Sequence, residues 1–222
     1  IVNSTVTAQD GNVILEAVGI LHGPLGIIVN TAVAASGDVT FEAADLDNLT
    51  VSSGGVINGT LVNGNIVGGS YIASDSITFD NAATIASAAF DSGDKVTLGA
   101  SGNIELVDVK ANDGANLTSA AGIDSATVIA NNNDVTLRAV HIVSSKVTAE
   151  NGAASLTATG AAGIPGLIAN TIVGATGDVT FTATNLDNLT VTGGGAIDGT
   201  LVTGSIVGGS YVAADAITFN NK

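Results

Sequence analysis

Residues Gly37–Val51 read GDVTFEAADLDNLTV, and residues Gly177–Val191 read GDVTFTATNLDNLTV. The two stretches are offset by 140 residues. Around them, about two-thirds of the positions from Ile28 to Asn81 are identical to their counterparts. A repeat of fixed period decides the architecture before local propensity does. The sequence therefore indicates one long repeat over approximately 1–141 and a partial second copy over 142–222.

A shorter period lies inside the long one, marked by the large hydrophobic residue that most often ends a Val-Thr-Leu or Val-Thr-Phe triplet. Most successive markers are 18 to 20 residues apart. Two longer steps contain the Gly/Pro segments Leu21–Gly26 and Gly160–Gly166, which predict a loop inserted into one coil in seven. The markers are Leu15, Phe41, Leu61, Phe79, Leu98, Leu117, Leu137, Leu156, Phe181, Leu201 and Phe219.

The sequence around each marker alternates with a period of two. Val or Ile stands two residues before most markers, and Ala often stands two residues after. This pattern is typical of a strand with one buried face, so we expect these residues to point inward. The residue directly before the marker is usually Thr, which we expect to be exposed. Gly, Asp or Asn four residues before the marker predicts a turn between strands.

A coil of about 20 residues holds two or three short strands, and it can bury its inward residues only against its own other sides and the neighbouring coils. The sequence therefore predicts an all-β fold, a parallel β-helix (β-solenoid) of about 11 coils that forms one continuous domain over residues 1–222. Stacked at about 4.8 Å, these coils make a rod about 50 Å long. The crossover preference of parallel strands predicts that the helix is right-handed.

Composition agrees with this fold and excludes several functions. The chain is 45% hydrophobic but only 3% aromatic and 11% charged, which favours a core of small and β-branched residues. Its formal charge of −15 argues against nucleic acid and anionic membranes as partners. It has no Cys for disulfides or thiol chemistry. The apolar stretch Ser155–Gly177 is interrupted by Pro165 and Asn170, so we interpret it as core strands, without membrane insertion.

The coil unit, as in Val2–Ala17 (VNSTVTAQDGNVILEA) and Gly37–Ala43 (GDVTFEA), resembles the repeats of filamentous-haemagglutinin-type exoproteins. Those proteins are large surface adhesins exported by two-partner secretion. The resemblance implies a right-handed, three-sided β-helix that forms the shaft of a rod, with binding done elsewhere or by loops. It carries over no catalytic residues.

Candidate catalytic residues are few. The chain has one Arg, Arg138, and two His, His22 and His141, neither of which recurs in the other long repeat. Polysaccharide-cleaving β-helices need clustered acids and bases, so these isolated residues predict no catalytic site. Asp45, Asp47 and Asp187 are a candidate carboxylate cluster, although turn capping is the interpretation that we favour.

Binding residues are also predicted from local patterns. The turn residues Asp75, Asp94 and Asp113 are a weak candidate Ca²⁺ site, because hard cations need several oxygen ligands. Otherwise no cofactor is expected. Partner contacts are expected in the inserted loops, at His22, Pro24, Ile164 and Pro165. Candidate N-glycosylation sites are Asn3, Asn48, Asn116 and Asn188; a fifth sequon, Asn58, is replaced by Asp198 in the second copy.

The function hypothesis that follows is a structural or adhesive shaft segment of a long secreted cell-surface fibre, without catalysis. One alternative is the subunit of a self-assembling extracellular filament or sheath, and another is a polysaccharide-active β-helix enzyme. Ile1 begins within a coil and Lys222 directly follows the last marker coil, so we expect further coils or copies of the protein to stack end to end. A host or neighbouring cell surface, or a glycan, is the expected external partner.

Overall fold

The computed structural model describes residues 1–17 and 26–222, and it confirms the predicted all-β solenoid. The described residues contain strands and turns but no helix, and therefore no helix of the length and apolar character that crossing a bilayer requires. Three parallel sheets run along the stack of coils. Each strand pairs with the strand three places later in the chain, one coil further along.

Sheets I and II each have 11 strands, and sheet III has 10. Sheet I comprises β1 (Thr5–Ala8), β4 (Ala32–Ala35), β7 (Thr50–Ser53), β10 (Ser70–Ala73), β13 (Ala89–Ser92), β16 (Asp108–Ala111), β19 (Thr127–Ala130), β22 (Lys146–Ala149), β25 (Ile172–Ala175), β28 (Thr190–Gly193) and β31 (Ser210–Ala213). Sheet II comprises β2 (Val13–Ala17), β5 (Val39–Ala43), β8 (Ile57–Leu61), β11 (Ile77–Ala82), β14 (Val96–Ala100), β17 (Ala115–Ser119), β20 (Val135–Ala139), β23 (Ala154–Ala158), β26 (Val179–Ala183), β29 (Ile197–Leu201) and β32 (Ile217–Asn221). Sheet III comprises β3 (Ile27–Val29), β6 (Asp45–Asp47), β9 (Asn65–Val67), β12 (Thr84–Ala86), β15 (Ile104–Glu105), β18 (Gly122–Asp124), β21 (His141–Val143), β24 (Leu167–Ala169), β27 (Asn185–Asp187) and β30 (Ile206–Val207).

One hydrophobic core fills the space between the three sheets. The predicted markers lie in this core: all are buried except Phe219, which is partly buried against it. The preceding Thr residues are exposed or half-buried, as the alternation predicts. The apolar stretch from Ser155 to Gly177 contributes β23, β24 and β25, which confirms its interpretation as strands.

The predicted register is wrong at Leu61 and Leu201. Gly59, not Leu61, pairs with Phe41 and Phe79 in the marker column, and Leu61 pairs with Ala43 in the column of small residues. Leu201 is displaced in the same way, because Gly199 occupies the marker position. The inward residues of β8 are Ile57, Gly59 and Leu61. Ile57 pairs with Val39, so the next inward residue, opposite Phe41, is a glycine where the pattern predicted a large residue.

The two glycines make room for aromatic clusters. A side chain at Gly59 would collide with the ring of Phe79, and one at Gly199 would collide with Phe219. Tyr71 packs edge-on against Phe79 at 5.2 Å and stacks on Phe90 at 5.1 Å. The partial second copy repeats the arrangement with Tyr211 and Phe219, whose ring centroids are 5.1 Å apart.

The corner between sheets III and I has at least one residue with positive φ in each coil. Asn30 and Asn48 adopt φ values of 47° and 52° there, and the side-chain amide of Asn48 donates a hydrogen bond to Oδ1 of Asn30 at 2.9 Å. Asn188 and Asn170 repeat this contact at 3.1 Å. Asn tolerates positive φ better than most residues, so these corners form an asparagine ladder between neighbouring coils.

Candidate functional site

The inserted loop Gly160–Gly166 forms a small hairpin between β23 and β24. The backbone N–H of Ala161 donates to the carbonyl of Ile164 at 2.9 Å, and the N–H of Ile164 donates back at 2.8 Å. Gly163, in the turn, has a φ of 77°. Ile164 is 56% exposed and Pro165 is also exposed, so the hairpin presents apolar side chains to solvent. Their predicted role in partner contacts remains a prediction; His22 and Pro24 lie outside the described residues.

The candidate carboxylate cluster does not form. Asp45 and Asp47 lie on the outer face of β6, whereas Asp187 occupies the column of Asp47 on β27. These two strands are seven coils apart in sheet III, a distance of about 34 Å. The identity of Asp47 and Asp187 reflects the long repeat, which places copies far apart along the axis. Asp45 has the favoured capping role, because its Oδ1 accepts hydrogen bonds from the backbone and side-chain amides of Asn65 at 2.7 and 3.1 Å.

His141 is half-buried rather than fully exposed. Its ring lies over Gly122, its partner in the neighbouring strand, where a side chain would collide with Nε2. Nε2 lies 3.4 Å from Oδ2 of Asp124, the only contact within 4.0 Å between a basic and an acidic side chain among the described residues. Arg138 points outward and is exposed on β20. The glycine that admits the imidazole explains its burial, and this contact between neighbouring coils was not visible in the sequence.

The carboxylates in the turn file between sheets I and II lie on successive coils. Oδ2 of Asp94 accepts a hydrogen bond from the hydroxyl of Ser76 at 2.6 Å, and Oδ1 of Asp113 accepts one from the amide of Asn133 at 3.4 Å. Asp75 lies one coil before Asp94 in the same file. Residues 1–17 and 26–222 contain no group of three or more His, Cys, Asp or Glu side chains arranged to hold a metal ion.

Other Asp residues, which the sequence pattern did not single out, cap the neighbouring coil. Oδ1 of Asp38 accepts the backbone N–H of Val56 at 3.0 Å. Asp178 makes the same contact with the N–H of Ala196 at 2.8 Å. The Gly-Asp of each Gly-Asp-Val-Thr segment thus satisfies a backbone donor one coil away, which gives part of the negative charge a structural role.

The four glycosylation candidates occupy different positions. Asn48 and Asn188 belong to the asparagine ladder, where their side-chain amides donate to the preceding coil. Asn3 is exposed at the first corner, with a φ of 49°. Asn116 lies on the outer face of β17, between Thr97 and Thr136 of the neighbouring strands. The ladder is a structural reason for the Asn-Leu-Thr repeats that does not depend on glycosylation.

A concavity of about 580 Å³ interrupts the outer face of sheet II where β11 bulges. Its lining is polar and apolar in similar measure and comes from four successive coils, those of β8, β11, β14 and β17. The residues that line it are Asn63, Asp80, Asn81, Gly99, Ala100, Ser101 and Thr118. The sequence contains no pattern for this groove, because it depends on which coils are neighbours.

Comparison of the chain with protein-family models, curated proteins and solved structures gives no match.

Proposed function

We propose that the chain is a rigid shaft segment of an extracellular fibre or adhesin and that it has no catalytic activity. The observation that carries this proposal is the continuity of the stack: the three sheets are unbroken over 11, 11 and 10 strands, and one core runs between them. A solenoid of this kind contacts itself only between neighbouring coils, so its length grows with coil number while its cross-section stays constant. Such a molecule is suited to holding other parts at a fixed distance.

The surface chemistry supports an exposed, solvated rod. The formal charge of −15 keeps copies apart laterally, since like charges along the shaft repel. The described acids are spread along the stack, and none of them forms a group of three with other Asp, Glu or His side chains. The exposed hairpin Ala161–Pro165 supplies an apolar feature that projects from the shaft and is available to a partner.

End-to-end stacking into a filament is a second candidate function. In the first copy, Tyr71 and Phe79 are fully buried, and the next coil covers them with Phe90 and Leu98. In the second copy, the corresponding Tyr211 and Phe219 are only partly buried. This coil therefore presents an apolar layer and open strand edges, against which another copy of the chain would stack.

The distance between two labels along one column tests the shaft. Thr5 and Ser210 occupy the same outward column of sheet I, ten coils apart, which corresponds to about 48 Å. Because the chain has no Cys, Thr5→Cys and Ser210→Cys allow specific spin labelling. We expect a narrow distance distribution by electron–electron double resonance. A second pair of labels at Thr50 and Thr127 lies four coils apart in the same column. Subtracting its distance from that of the first pair removes the contribution of the label linkers. A broad distribution, or a difference between the pairs far from about 29 Å, would contradict a rigid shaft.

Location requires a separate measurement. Antibodies against the folded chain should label intact source cells without permeabilisation. Labelling only after lysis would contradict the extracellular part of the proposal.

A further inference from the structure

The groove on sheet II is produced by a bulge in β11. Phe79 pairs with Leu98 and Ala82 pairs with Ala100, so Asp80 and Asn81 together stand opposite Gly99. Asn81 adopts a φ of 63°, which turns the backbone outward at this point. Gly99 contributes no side chain, so only the bulged backbone and the Asp80 carboxylate lie over it. A bulge that faces a glycine therefore creates a depression in a sheet face that is otherwise lined by regular rows of side chains.

The groove presents polar groups that the protein itself does not use. Within the described part of the chain, the side chains of Asp80, Asn63, Asn81 and Thr118 form no hydrogen bond with one another or with other residues, and all four are exposed. Oδ1 of Asp80 leans over Gly99, 3.3 Å from where a Cβ at that position would lie. Asp38 and Asp178 differ in this respect, because their carboxylates are occupied by backbone donors of the neighbouring coil.

The composition of the lining defines the ligand class. One carboxylate offers acceptors, the amides of Asn63 and Asn81 offer both donors and acceptors, and Thr118 offers a hydroxyl, whereas the Ser101 hydroxyl already donates to the carbonyl of Ala82 at 3.4 Å. Adjacent hydroxyl groups of a sugar need such a mixture, because each hydroxyl donates one hydrogen bond and accepts others. The volume of about 580 Å³ lies within the range of small-molecule sites. We propose that this groove binds a neutral saccharide, with Asp80 as the principal acceptor for its hydroxyls.

Other ligand classes fit the lining less well. A divalent cation needs several anionic or carbonyl oxygens, and Asp80 is the only carboxylate in the lining. An anion would meet that carboxylate and a molecule of net charge −15. The site adds a ligand to the shaft proposed above, and its test does not depend on the length or location of the shaft.

Amide chemical shifts of the ¹⁵N-labelled chain test the proposal directly. The probes are maltohexaose, cellohexaose and mannohexaose, with hexagalacturonate as an acidic comparison and CaCl₂ as a cation comparison. We expect at least one neutral oligosaccharide to produce saturable shifts at Asn81, Gly99 and Ser101. Asp80→Ala should weaken this binding about tenfold or more, because it removes charge-assisted hydrogen bonds. Gly99→Val should abolish binding by filling the groove.

Gly174→Val is the matched control. Gly174 lies on the outer face of sheet I with no atom within 4 Å of an added Cβ, so this variant should bind as the wild type does. The spectra of all variants report whether they are folded. The proposal is overturned if no neutral probe gives saturable shifts, if the shifts lie outside the groove, or if Asp80→Ala binds unchanged. It is also overturned if CaCl₂ or hexagalacturonate binds the groove as tightly as the neutral probes.

Discussion

Phe79 lies over Gly59, in the space that a side chain at that position would fill. Gly59 lies between Phe41 and Phe79 and has no side chain. The two rings therefore stack with their centroids 6.4 Å apart, although Phe41 and Phe79 are two coils apart. Gly199 and Phe219 repeat the arrangement 140 residues later. Glycine thus allows a core of mostly small residues to accommodate large aromatic rings in neighbouring coils.

Gly59→Ala should lower the free energy of unfolding by about 1–3 kcal/mol, because the added methyl group overpacks the site of the Phe79 ring. Denaturant unfolding of the purified chain measures this change. Gly174→Ala is the control, since nothing lies near its added Cβ, and it should leave stability unchanged or slightly raised. Equal effects of the two substitutions would show that the aromatic packing is not the cause.

Leu117→Ala should cost about 2–5 kcal/mol of unfolding free energy, because Leu117 is fully buried in the marker column between Leu98 and Leu137. Thr118→Ala, on the outer face of the same strand, should change stability by less than about 0.5 kcal/mol. A small effect of Leu117→Ala would contradict the register of sheet II.

Asn48→Ala should destabilise the fold by about 1–2 kcal/mol, because alanine is strained at a φ of 52° and the hydrogen bond to Asn30 is lost. Asn48→Gly removes the strain, so it should recover most of the loss. Asn58→Ala, at an exposed strand position, is the control and should be close to neutral. If Asn48→Gly is as destabilising as Asn48→Ala, the backbone conformation is not responsible.

Tyr71 should make stability fall at alkaline pH. Burial, with a smaller effect of Asp47, raises the pKa of Tyr71 above its ordinary value. Above about pH 10 the unfolded tyrosine loses its proton while the folded one retains it, so the unfolding free energy decreases as pH rises. Burial also raises the pKa of Tyr211, which adds to the same trend.

Tyr71→Phe should remove most of this alkaline loss. The Tyr71 hydroxyl is buried without a hydrogen-bond partner among the described residues, so near neutral pH the variant should be as stable as wild type or more stable by up to about 1–3 kcal/mol. Unfolding curves at pH 7 and above pH 10 provide the comparison. If the variant loses as much unfolding free energy above about pH 10 as the wild type does, groups other than Tyr71 are responsible.

The 222-residue chain should self-associate at high concentration through its terminal coils. Ile217 and the partly buried Tyr211 and Phe219 give the last coil an apolar edge. Sedimentation equilibrium measures the association, and Ile217→Lys should weaken it by placing a charge in that edge. The matched control Ile172→Lys adds the same charge to an exposed site on β25 and should leave association unchanged. A chain that stays monomeric would refute the stacking interface.

The sequence alone determined the fold class, because periodicity is a local property. Alternation around markers such as Phe41 and Leu117 indicates strands with one buried face, and a spacing of 18 to 20 residues indicates stacked coils. It also indicated the inserted loop at Gly160–Gly166, where turn-forming residues cluster.

Only the tertiary structure decided which residues of successive coils meet. Gly59 rather than Leu61 stands beneath Phe79, because a small residue and a large one share the space between two coils. The groove beside Asp80 likewise exists because a two-residue bulge stands opposite Gly99 on the next strand. Such contacts join residues about 20 positions apart, and neither partner shows locally what the other will be. Leu61 stands two positions along β8 from the residue opposite Phe41, a displacement that keeps it buried and leaves the alternating pattern in the sequence unchanged.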